Sequence, residues 1–73
     1  MSVEPQVVHT VTTVVRDHLT DHILLEMAGA IPLPRGTVVV LPTGGVARVE
    51  AVHLVVPAAP GEPAKLVAYV LPC

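Results

Sequence analysis

Thr37-Val-Val-Val-Leu-Pro-Thr-Gly-Gly-Val-Ala-Arg-Val-Glu-Ala-Val-His-Leu-Val-Val56 holds two apolar runs separated by a turn, and its reading decides the fold. Thr37–Leu41 is apolar on both faces, as expected of a strand covered on both sides. Pro42 presets φ for the first turn position, and Gly44 is free to take positive φ before the chain returns. Val46–Val56 then reads as one long strand. Its first half alternates, with Ala47, Val49 and Ala51 against Arg48 and Glu50. Its second half is apolar on both faces except at His53.

Downstream, Pro57–Pro63 is a proline-rich loop that no β-ladder tolerates. Beyond it Leu66, Ala68 and Val70 face one way, and Lys65, Val67, Tyr69 and Leu71 the other. The spacing predicts an antiparallel meander with strands at 37–41, 46–56 and 65–71. Upstream, the Val- and Thr-rich stretch 6–15 fits a fourth strand or an extension of a following helix, the strand being preferred. Thr12/Thr13, Arg16/Asp17 and Thr20/Asp21 recur four apart, opposite Val11, Val15, Leu19 and Ile23, which is a helical period. Asp17 or Thr20 can cap a start, Leu24–Ala28 are good helix formers, and Gly29 is a natural stop, so a helix is expected over 17–28. Ile31–Gly36 is a stiff connector, because each proline holds its predecessor extended. The expected fold is thus a β-dominated α+β domain spanning residues 1–73. Its sheet is a small antiparallel meander or partly open barrel of three to four strands, carrying one helix.

Composition says what such a sheet lacks. Sixteen residues are valine, there is no Phe or Trp, and Tyr69 is the one tyrosine. A core must therefore be built from β-branched side chains rather than large rings. A chain of this size buries only about 60% of its unfolded surface, and Cys73, the sole cysteine, offers no internal disulfide. Charged residues make up 14%, against roughly 25% in ordinary soluble domains. One twelve-residue helix covers one face of the sheet, and nothing is left for the other. An open apolar face marks an interaction site. The expected partner is the chain itself or another protein subunit, in a homo-oligomer, through Val38, Val40, Val67, Tyr69 and Leu71.

Other classes find less support. The net charge is −2, and Arg16, Arg35, Arg48 and Lys65 are scattered, which disfavours nucleic acid. No run approaches the roughly 18 apolar residues of a membrane span. Met1–Gln6 has Glu4 and no basic residue, unlike a secretory leader, so a cytoplasmic or virion location is expected. Residue types with AT-rich codons are nearly missing: there is no Asn or Phe and one Lys. Such a bias fits a GC-rich genome, for instance that of an actinobacterium or one of its phages.

Asp17-His18-Leu-Thr-Asp21-His22 is the one chemically suggestive cluster. Histidines four apart on a helix share a face and can bridge a transition metal, with a carboxylate to orient them. That makes His18 and His22 the metal candidates, against a plainer reading as a capped helix start with surface or interface histidines. No Cys partner exists, and His9 and His53 stand at no fixed spacing, so no metal and no cofactor is expected. Catalysis has no support either. Ser2 and Cys73 lie at the termini, and Thr43 has no neighbouring base.

Pro34–Val49, a valine hairpin with a glycine turn, resembles the opening hairpin of small SH3-like barrels. The resemblance implies an adaptor for proline-rich peptides or nucleic acid through an aromatic-lined surface, to which this chain brings only Tyr69. Three functions are thereby expected in order: a non-enzymatic assembly subunit, such as a phage capsid, decoration, connector or tail component; an SH3-like adaptor; and a small metal- or ligand-binding regulator.

Overall fold

The computed structural model describes residues 10–59 and 61–73. Among the described residues five strands are formed: β1 (Val11–Asp17), β2 (Ile23–Ala28), β3 (Val38–Val40), β4 (Val46–Val55) and β5 (Ala64–Pro72). They make one sheet in the order β2-β1-β5-β4-β3, curled into a half-barrel. All neighbours are antiparallel except β1 and β5, which run parallel. β2 and β3 form the two edges and do not meet.

The expected hairpin is present. Leu41 and Gly45 close the turn through a 2.7 Å N–H···O bond, and Gly44 sits at φ +92°. Its first strand is shorter than the apolar run, because β3 pairs only with Val46–Arg48. β1 begins at Val11, so the strand expected over 6–15 is found for its last five positions, while residues 6–9 lie outside the described residues.

No helix occurs among the described residues, and the helix expected over 17–28 is replaced by a turn and β2. Asp17 does cap amides, as its carboxylate accepts from Leu19 N–H at 2.8 Å and from Thr20 N–H at 3.3 Å. The chain then turns back instead of winding on. Asp21 takes φ +63°, which no helix continues through, and Asp17 N–H bonds the His22 carbonyl across the turn. Past the turn, side chains alternate with period two. Leu25 and Met27 lie opposite Val15 and Thr13 on the inner face, and Glu26 lies opposite Val14 on the outer one. Pairing with β1 decides between two patterns that the residues allow equally.

The core is the concave side of the sheet. Val15, Ala47, Val49, Ala68 and Val70 are buried there, with Leu25, Met27, Val39 and Leu41 packed around them. The expected cover of one face was a helix; it is the β2–β3 connector. β2 and β3 stand four strand spacings apart, about 19 Å at roughly 4.8 Å each, and nine extended residues reach about 30 Å. The connector crosses the concave side and sets Leu33 on the core. Thr13 anchors its start, donating to the Gly29 carbonyl at 2.7 Å and accepting from Ile31 N–H at 3.0 Å. Its far end is held by Gly36 N–H on the Val49 carbonyl and by Val49 N–H on the Thr37 carbonyl.

Candidate functional site

A mismatch in strand length creates the most distinctive surface. β4 has ten residues and β3 has three, so β3 covers only the first turn-proximal stretch of β4. From Ala51 to Val55, β4 has β5 on one side and, among the described residues, no strand on the other. Glu50 is an extra residue in this strand: Val49 pairs with Val70, and Ala51 with Tyr69. That bulge shifts the alternation by one, so Val52 and Leu54 join Ala47 and Val49 on the inner face. His53 and Val55 turn outward.

The direction of each amide follows from the ladder. Cys73 N–H bonds the Val46 carbonyl, so the odd positions of β5 hydrogen-bond to β4. Their partners Ala51, His53 and Val55 therefore spend their backbone groups on β5. Val52 and Leu54 point theirs outward, at the open edge. Their side chains are exposed as well, Leu54 at 61%, and Val55 and Val56 extend the apolar surface. Beside this edge, on the inner side, lies an open groove of about 590 Å³ lined by Ile31, Leu33, Val52 and Leu66, with Arg35 and Glu50 among its walls.

The residues expected to form an interface share the outer face of the sheet, Val38 standing in one row with Leu71 across Arg48, but they differ in exposure. Val38 and Val40 are exposed on β3, Val40 at 71%. Val67 is 6% exposed, enclosed on the outer face between Val14 and His53, and Tyr69 and Leu71 are half-buried. Tyr69 is the centre of a small ring cluster instead. His53 stands 4.9 Å from it and His18 6.0 Å, both edge-on. His18 and His22 lie on the β1–β2 turn rather than on a helix face, with His22 exposed and His18 turned towards Tyr69. Among the described residues no three His, Cys, Asp or Glu side chains group as metal ligands do. Thr43 is in the exposed hairpin turn, Cys73 is an exposed free thiol, and Ser2 and His9 lie outside the described residues. Arg16 and Asp21 form an ion pair across the turn at 3.5 Å. No helix long and apolar enough to cross a membrane is found among the described residues.

Sequence reasoning missed Val52, Leu54, Val55 and Val56 as site residues. The signal was there: an eleven-residue apolar strand was set beside a five-residue one, which guarantees an uncovered half. No protein-family model matches the chain, and no curated protein and no solved structure is similar to it.

Proposed function

We propose that this chain is a non-enzymatic structural subunit that works by self-association within a larger protein assembly. The observation that carries this is the edge of β4, where Val52, Leu54, Val55 and Val56 are exposed beside backbone amides that have no strand partner among the described residues. Natural sheets usually protect such an edge with a charge, a proline or a covering loop. Ala51–Val56 contains neither a charged residue nor a proline. A shell or tail of a virion is one setting in which many copies of so small a subunit would be used, and the GC-rich compositional bias fits an actinobacterium or one of its phages alike.

Sedimentation velocity on the purified chain tests the reading. A mass above that of the monomer, reduced to the monomer by Leu54→Lys with the circular dichroism spectrum retained, is the expected result. A monomer at every soluble concentration would overturn it and favour the adaptor, with the groove beside β4 receiving an extended segment of another protein.

A further inference from the structure

Resting on that reading, we infer that a second copy of this chain adds to the open edge of β4, antiparallel about a two-fold axis at His53. The free stretch has fixed ends. Val49 is already bonded to Gly36 and Thr37 on one side, and Pro57 lacks an N–H on the other. Residues 50–56 lie between, and their midpoint is His53. An antiparallel pairing centred there uses the whole stretch without displacing β3 or entering the proline-rich loop.

Chemistry favours the same register. Ala51 comes opposite Val55 of the second copy, Val52 opposite Leu54, and His53 opposite itself. Val52 and Leu54 are the residues whose amides point outward, so each pair exchanges two N–H···O bonds, four in all across the axis. Glu50 falls opposite Val56, and no like charges meet. The other edges lack this match. β2 carries Glu26 near its middle, so self-pairing centred there sets two carboxylates face to face, and β3 is only three residues long. The groove supplies a second support. Leu54 of the incoming copy, opposite Val52 on the inner face, arrives at the mouth of the apolar depression lined by Ile31, Leu33 and Leu66. Two five-stranded sheets thereby merge into one. The contact is at the small end of specific interfaces, so rapid exchange with monomer is expected.

Two measurements test this together. On the unaltered chain, amide hydrogen exchange followed against concentration should show Val52 and Leu54 gaining protection as the dimer forms. In a Cys73→Ser background, His53→Cys is treated with diamide, which oxidises two thiols to one disulfide. Directly opposed residues of a non-hydrogen-bonded pair stand about 4.5 Å apart at Cα, within disulfide reach. A covalent dimer from His53→Cys, and much less from Val52→Cys or Val40→Cys, is the expected pattern. Self-association that leaves the Val52 and Leu54 amides unprotected, or that cross-links at Val40→Cys instead, overturns the β4 pairing but keeps the assembly reading. A strictly monomeric chain overturns both.

Discussion

Thr13 and Gly29, sixteen positions apart, are joined by a 2.7 Å hydrogen bond from the threonine hydroxyl to the glycine carbonyl. The same oxygen accepts from Ile31 N–H, so one buried side chain fixes the point where the chain leaves β2 and starts across the concave face. Thr13→Val keeps the shape and removes both bonds. Leaving such groups unsatisfied costs about 1–3 kcal/mol. Chemical denaturation should show that loss, and Thr13→Ser should recover most of it. Equal stability of Thr13→Val and the parent would refute the anchoring role.

Leu33 is the connector's contribution to the core. A buried Leu→Ala change costs about 2–5 kcal/mol, and Leu33 is half-buried, so a loss near the low end is expected. Leu33→Asp should cost more, since it brings a charge to an apolar concavity. Thermal melts of both variants check this. A melting temperature unchanged in Leu33→Asp would mean that the connector does not cover the core.

Asp21 holds φ +63° in the β1–β2 turn. Aspartate and asparagine tolerate that region far better than β-branched residues do. Asp21→Val is expected to lower stability by about 1–3 kcal/mol. Asp21→Asn should stay close to the parent, because the ion pair it removes is long at 3.5 Å and its carboxylate end is exposed. If Asp21→Asn and Asp21→Val behaved alike, the turn conformation would not be the source of the effect.

Val67 distinguishes fold from association. It lies inside the single chain, so Val67→Lys should unfold the domain at any protein concentration. Leu54→Lys should leave the melting temperature of the dilute chain unchanged. A folded, merely dissociated Val67→Lys would return the interface to the outward face of β5.

The β-rich class, the Leu41–Gly45 turn and the faces of β5 were legible because pattern and local chemistry agree there. Val46–Val55 was legible as a strand, but its alternation was not, since nothing in the residues marks Glu50 as the extra one before β5 is in place. Residues 17–28 misled for a different reason. Leu24, Leu25, Met27 and Ala28 are good helix formers, and Asp17 makes its capping bonds in a turn as readily as at a helix start. Only the pairing of Leu25 with Val15 and of Met27 with Thr13 reveals the strand, and those partners are ten and fourteen residues away. Val67 lies on the outer face as its spacing indicates, but its low exposure was not legible, because the neighbours Val14 and His53 come only with the strand order.

The parallel pair at the middle of the sheet has a kinetic consequence. β1 and β5 are the first and last of the described strands, and each is also one arm of a hairpin, with β2 and with β4. The two hairpins can close early from local sequence, yet each alone is marginal in water. What joins them is a contact spanning most of the chain, whose loop-closure entropy must be met before any of the shared core is gained. Until β5 has left the ribosome, β1 has no central neighbour and Val15 no lid. Folding should therefore be a single late event, roughly on the millisecond-to-second scale of β proteins with distant pairings.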